Sequence, residues 1–299
     1  MTAVAFLGVG HMGLPMARNL AAAGHDVTVF DVVPAAVEAA RDAGLPVASS
    51  GADAAASADV VITMFPAGRH VLDAYRGTNG QASLLAAAEP GTLFIDSSTI
   101  AVDEAREAHL LAEEAGHRSV DAPVSGGVVG AEKGTLAFMV GGSDEDFAAA
   151  LPLLERMGGR IVHCGGPGLG QAAKVCNNMI LGVSQIVVAE AFVLGERLGL
   201  SHEALFDVAS HASGQCWALT TNCPVPGPVP TSPANNDYRP GFAGALMAKD
   251  LGLAAQAIAL TGADAQLGLH AQQIYAAFAE GDGAGQDFSA IINVIRAAG

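Results

Sequence analysis

The 299-residue chain is 51% apolar and only 15% charged, which excludes a disordered segment, and its length suits two domains better than one. Fourteen Lys and Arg against 30 Asp and Glu leave a net charge of −16, so no nucleic-acid partner is expected, phosphate being repelled over the surface as a whole, while a local basic site for one small anion stays open. The four cysteines (Cys164, Cys176, Cys216 and Cys223) include no Cys-x-x-Cys pair and no His cluster completes a zinc site, so no metal is expected and the thiols read as reduced.

The N-terminus lacks a basic leader, and glycines interrupt its apolar run early, so it reads as a first strand and not as a signal peptide. A cytoplasmic protein is expected, or the processed form of a mitochondrial one. Short β-branched runs at 3–7, 27–30, 60–64, 93–96, 118–121, 137–140 and 160–163 read as strands. Between them, 12–23, 35–43, 102–115 and 144–157 read as helices. Such alternation implies a mainly parallel sheet covered on both faces. From Gln171 to Leu198 one long helix of about 28 residues is expected, spanning roughly 40 Å and apolar on nearly every side. Ser184, Gln185 and Glu190 interrupt its apolar stretch, so it is read as a core or oligomer helix and no membrane is expected. Further helices are expected at 202–212, 245–260, 267–280 and 288–297, with no strand among them. Residues 223–241 carry six prolines, which precludes regular structure; such a long loop is either a functional element or a surface connection.

Gly8-Val9-Gly10-His11-Met12-Gly13 is a G-x-G-x-x-G run between the first strand and the first helix, and Asp31 ends the second strand 23 residues after Gly8. In that setting Gly8 permits the tight turn, Gly10 lets backbone approach a pyrophosphate, and Gly13 lets helix pack on strand. Asp31 would accept the ribose hydroxyls and repel a 2′-phosphate, which favours NAD over NADP. The alternative is a set of glycines serving only a tight turn. The fold class is therefore α/β: a Rossmann-type doubly wound sheet over 1–165, then an all-α domain over 166–299, joined by the long helix. Phe65-Pro66 and Ser97-Ser98-Thr99 follow later strand ends, where ligands of open α/β sheets lie; Ser97 and Ser98 are equally good helix caps.

Two further stretches carry candidate chemistry. Ser125, Gly126 and Gly127 offer a hydroxyl and unobstructed N–H groups for a small carboxylate, unless they form an ordinary turn. Lys174 and Asn178 lie four apart on one face of the long helix. A lysine desolvated there would have its pKa lowered and suit proton transfer; the alternative is a lysine snorkelling to water. Lys249-Asp250, on a later helix, reads as a salt bridge or solvated pair.

These residues resemble the β-hydroxyacid dehydrogenases. The match runs through FLGVGHMGLPMARNL from Phe6, DAPVSGGVVGAEKGTLAFMVGG from Asp121, GQAAKVCNNM from Gly170 and LMAKDLGLA from Leu246, and covers essentially the whole chain. GQCWAL from Gly214 and the proline-rich loop resemble the hydroxyisobutyrate subgroup, which makes that loop a wall of the active site. The resemblance implies Lys174 as catalytic lysine and Asn178 as its substrate-orienting neighbour, with Ser125, Gly126 and Gly127 binding the carboxylate. It implies cofactor contacts at Gly8 to Gly13 (Val9, Gly10, His11 and Met12 between), Asp31, Phe65, Pro66, Thr99 and Lys249, with His70 as a further candidate. Phe65 departs from the leucine expected before Pro66, a change that a backbone contact tolerates. The implied reaction is NAD-dependent oxidation of 3-hydroxyisobutyrate to methylmalonate semialdehyde, in valine breakdown, by a homodimer or homotetramer. Tartronate and succinic semialdehyde reductases share the fold and lysine and remain alternatives, as does an NAD-binding sensor without turnover.

Overall fold

The computed structural model describes residues 1–78, 80 and 82–298, which form two compact units, 1–174 and 175–299. In the first unit the strands are β1 (Ala3–Leu7), β2 (Asp26–Phe30), β3 (Val60–Thr63), β4 (Leu93–Asp96), β5 (Arg118–Asp121), β6 (Val124–Ser125), β7 (Leu136–Gly141) and β8 (Gly158–Gly165). Its helices are α1 (Gly13–Ala22), α2 (Pro34–Asp42), α3 (Gly51–Ala55), α4 (Gly68–Arg76), α5 (Leu84–Ala87), α6 (Val102–Glu114), α7 (Gly127–Lys133) and α8 (Asp144–Met157). Helix α9 (Leu169–Arg197) begins in this unit and runs on into the second, which contains α10 (His202–His211), α11 (Trp217–Thr220), α12 (Gly244–Thr261), α13 (Gln266–Ala279) and α14 (Ile291–Ala297).

Alternation along each strand sorts its side chains between two apolar cores. Val4 and Phe6 of β1, Val60 and Ile62 of β3 and Leu93 and Ile95 of β4 face α1 and α8, whereas Ala5, Leu7, Val61 and Phe94 face α3 to α6. Buried on both faces, these strands form the parallel order β2-β1-β3-β4-β5, continued by antiparallel β7, with β6 and β8 each paired to β7. The register aligns the strand ends: Leu7 lies beside both Phe30 and Thr63, Thr63 beside Asp96, and Asp96 beside Asp121. Residues after those five positions therefore emerge along one edge of the sheet.

Several elements escape the sequence reading. Helix α4 lies between Pro66 and a left-handed Gly77, punctuation that masks an amphipathic run whose Val71, Leu72 and Tyr75 are buried. Strand β6 is two residues long, below the length at which periodicity registers. The helix expected over 288–297 opens as a 3-10 turn at Phe288–Ala290, because Asp287 captures the Ser289 N–H and hydroxyl before α14 starts.

In the second unit, Ile186, Phe192 and Val193 of α9 pack with Met247 and Leu251 of α12, Tyr275 and Phe278 of α13 and Ile291 and Ile292 of α14. A Cβ at Gly283 would lie 2.4–2.6 Å from the Phe278 ring, so this core closes only with glycine there. Helix α9 is long and apolar enough to cross a membrane, contrary to the sequence expectation, but half of its apolar window is buried in the protein, as in a core helix. Nor is it buried on every side: Ile180, Val187 and Leu194, seven residues apart, form an exposed stripe. The proline-rich segment is more than a surface connection, since Cys223, Val225 and Val229 sit in the helical core. It is tied down by Asp287, which accepts from Asn222, Gly241 and Phe242 as well as Ser289.

The sheet carries an electrostatic cost at Asp96 and at Asp121. Asp96 Oδ1 accepts from the Thr63 hydroxyl and from the Ser98 N–H and hydroxyl, while Oδ2 finds no partner among the described residues. Burial outweighs those bonds and pushes the carboxyl up to about 6. Asp121 is likewise pushed up to about 6 by burial. The folded state thus holds protons that the unfolded chain releases, so these groups lower stability as pH rises from about 4 to 6, with no further loss above. Two pKa units correspond to about 3 kcal/mol for each group. Urea unfolding of Asp96→Asn at pH 4.5 and pH 7 is expected to show this loss shrinking by on the order of 1–3 kcal/mol relative to the parent; an unchanged pH dependence would refute the assignment.

Candidate active site

The glycine run turns directly off the end of β1. Gly8 adopts φ +91°, and a Cβ there would lie 2.4 Å from the Met64 carbonyl oxygen. A Cβ on Gly13 would lie 1.9 Å from the Gly8 carbonyl oxygen, so α1 packs onto the turn only as glycine. Gly10 differs from both, with nothing within 4 Å of its Cβ position. Gly10 and His11 are exposed, Met12 is half-buried and Val9 buried. Two glycines that close the turn and one that leaves it open form a cradle that fits a dinucleotide pyrophosphate at the α1 N-terminus. Asp31 braces it from the end of β2: Oδ2 accepts from the Val9 N–H at 2.8 Å and Oδ1 from the Val33 N–H at 2.8 Å.

Asp96 organises the next two loops. The Ser98 hydroxyl donates to Asp96 and accepts from the Phe65 N–H at 2.8 Å, joining the turn after β3 to the turn after β4. Phe65 and Thr99 are half-buried and Pro66 is exposed on this edge. His70, in the first turn of α4, is half-buried with Nδ1 unpartnered among the described residues. Ser98 is therefore a loop clasp; neither Ser97 nor Ser98 bonds as a helix cap, that place at α6 being taken by Ala101, whose N–H donates to Glu104.

Beyond β5, Ser125 pairs with Ala137 on β7 and is half-buried. Gly126 and Gly127 have φ of +130° and +61°, conformations that require glycine and turn their backbone away from the strand. Lys174 is 6% exposed, and its Nζ donates to the Val124 carbonyl at 2.9 Å, so the side-chain amine is held against the segment that precedes Ser125. It is not a snorkelling lysine.

The start of α9 is held by two buried polar groups that the sequence reading left without roles. Asp121 Oδ1 accepts from the Gly168 N–H and Oδ2 from the Gln171 N–H, both at 2.8 Å. The Gln171 side chain donates to the Ser98 carbonyl at 2.7 Å and accepts from the Ile100 N–H at 3.2 Å. Glycines make the approach possible, since a Cβ at Gly141 or Gly170 would lie 2.4 or 2.7 Å from an Asp121 oxygen. The position of Asp121 at a strand end, with a Gly-Gln pair opening the long helix, was the available signal.

In the second unit, buried Asn178 donates through Nδ2 to Asp250 and accepts at Oδ1 from Asn177 at 2.9 Å. Asp250 is 5% exposed, so of the salt bridge or solvated pair expected for Lys249-Asp250 the solvated form does not apply to its acidic member; Lys249 is half-buried on α12. No group of three or more His, Cys, Asp or Glu suited to a metal occurs among the described residues.

Known proteins match the chain over its whole length. Residues 3–166 match the NAD binding domain of 6-phosphogluconate dehydrogenase, and residues 168–295 the NAD-binding domain of NADP-dependent 3-hydroxyisobutyrate dehydrogenase. The chain is 60% identical, over 99% of both lengths, to a probable 3-hydroxyisobutyrate dehydrogenase of Mycobacterium bovis. It is 45% identical to the human mitochondrial 3-hydroxyisobutyrate dehydrogenase, covering 99% of this chain and 87% of that one. A solved structure of Mycobacterium tuberculosis 3-hydroxyisobutyrate dehydrogenase with L-serine superposes with a TM-score of 0.95 at 59% identity, over 99% of both chains. An NAD-binding cradle, a buried lysine facing a Ser-Gly-Gly segment and full-length similarity of this kind together place the chain in the 3-hydroxyisobutyrate dehydrogenase family of NAD-dependent β-hydroxyacid oxidoreductases.

Proposed function

We propose that this protein oxidises 3-hydroxyisobutyrate to methylmalonate semialdehyde with NAD, in valine breakdown, with Lys174 as the acid–base group. The observation that carries the reading is the burial of Lys174 with its Nζ on the Val124 carbonyl. There a proton acceptor lies beside the Ser125 hydroxyl and the N–H groups of Gly126 and Gly127, which receive the substrate carboxylate. Lys174 takes the hydroxyl proton as the carbinol carbon is oxidised, and returns it in the reverse direction. Asn178, one helical turn on, has an N–H beyond its bond to Asp250 with which to orient the substrate oxygen. NAD, when bound, supplies the hydride acceptor. Val9 to Met12 take the pyrophosphate between Gly8 and Gly13, Asp31 the adenosine ribose, and Phe65, Pro66, His70, Thr99 and Lys249 the nicotinamide half. The functional boundary is set at 165/166, just ahead of α9.

A panel of 3-hydroxyisobutyrate, glycerate, 4-hydroxybutyrate and L-serine, each with NAD and NADP, tests the substrate. The highest kcat/KM is expected for 3-hydroxyisobutyrate with NAD, and Lys174→Ala is expected to lose about 100-fold or more in kcat while NAD still binds. Near-normal turnover in that variant would refute the proton-transfer role, and binding of NAD without turnover of any hydroxyacid would leave a sensor.

Asp31→Ala is expected to shift cofactor preference toward NADP by roughly tenfold in the ratio of kcat/KM, because a charge-assisted hydrogen bond to the ribose is lost and a like-charge repulsion removed. Equal effects on both cofactors would assign Asp31 only to bracing Val9.

The four free cysteines suit a reducing, cytoplasmic setting. The exposed Ile180, Val187 and Leu194 stripe on α9 supports a homodimer or homotetramer. Sedimentation velocity is expected to show a dimer or larger, shifted toward monomer by Leu194→Glu; a monomeric parent would remove this reading.

A further inference from the structure

We propose that Asp121 is a positioning residue for Lys174: its carboxylate clamps the first turn of α9 and thereby sets the height of the catalytic amine against the Val124–Gly127 segment. The inference rests on Lys174 being the acid–base group. Asp121 sits at the end of β5, paired in register with Asp96 of β4 on one side and Gly141 of β7 on the other, so its backbone is held between two strands. Both oxygens accept N–H groups that α9 cannot satisfy internally, from Gly168 just before the helix and from Gln171 in its first turn. The negative charge also lies at the positive end of a 29-residue helix. Lys174 follows Gln171 by three residues, less than one turn, so a shift of the clamped turn moves Nζ with it.

The clamp requires charge in a place that disfavours it. An ionised carboxylate presents acceptor lone pairs to all the N–H groups; a protonated one turns a donor toward one of them. Burial pushes the Asp121 carboxyl up to about 6, so the clamp is intact at pH 7 and lost progressively as pH falls through 6. Among the described residues, the titratable groups facing it include Asp96 on β4, Tyr75 on α4 and His109 on α6, which line a cavity of about 10 Å³ with it, and Cys164 on β8, whose thiol is pushed up by burial and by the Asp121 charge. Asp96 is the one of these likewise pushed up to about 6 and must be separated experimentally.

The test is the pH dependence of kcat for methylmalonate semialdehyde reduction by NADH. In this direction Lys174 donates a proton, so its own titration lowers the rate at high pH and not at low pH. The parent is expected to lose rate below about pH 6. Asp121→Asn, which mimics the protonated clamp, is expected to have kcat lowered roughly 10–100-fold at pH 7.5, the scale of a misplacement of about 1 Å. Its KM for NADH is expected to stay within about twofold, and its acid limb to be gone. Asp96→Asn is expected to keep that limb. The proposal is overturned if Asp121→Asn retains the limb, if Asp96→Asn removes it, or if the parent shows none, the last of these requiring no variant to fold. Lys174→Ala measured alongside separates the two ideas. Normal turnover there removes the proton-transfer reading itself, whereas loss of turnover there with a parent-like Asp121→Asn removes only the clamp.

Discussion

A carboxylate at the end of one strand holds the beginning of the longest helix, and the arrangement of the site follows from that bond pair. Helix α9 needs partners for its first N–H groups, and Asp121 supplies two of them from a strand end paired on both sides, to Asp96 and to Gly141. Gln171 adds a second attachment, to the backbone of the turn after β4. The same turn is clasped by Asp96 through Ser98 and reaches the Phe65 N–H after β3. One connected set of buried polar groups thus links two loops facing the nicotinamide half of the proposed cofactor site to the helix that carries Lys174.

That arrangement is expensive in stability. Two carboxylates sit side by side on adjacent strands, both displaced upward by burial, and one keeps an oxygen without a partner among the described residues. A sheet selected for stability alone would place apolar side chains there. Their presence at the edge where the loops after β1, β3 and β4 emerge is the pattern expected where order in a site is maintained at the cost of fold stability.

Glycine has an equally specific distribution. Gly8 and Gly13 close the cofactor turn while Gly10 leaves it open, and Gly141 and Gly170 admit Asp121 to the helix terminus. In each closed case a Cβ would meet backbone or a fixed carboxylate rather than a flexible side-chain end, so no repacking accommodates it.

The cofactor turn, the strand ends and the long helix were legible from sequence because they rest on local rules: period-two and period-3.6 burial, glycine spacing and the charge of Asp31. Lys174 and Ser125 stood out as candidates, a lysine on an apolar helix and a hydroxyl in a glycine turn, and the structure places the Lys174 Nζ on the carbonyl of the residue before Ser125. Helix α4 and strand β6 were hidden by punctuation and brevity. The roles of Asp96, Asp250 and Asp287 left no local signal, and those of Asp121 and Gln171 left only their positions at a strand end and a helix start. Each acts through partners between two and 73 residues away, several of them backbone groups that no composition or period records. Local physics determined what each segment becomes; only the closed sheet, by bringing distant strand ends into one register, decided which buried charges would hold the segments in place.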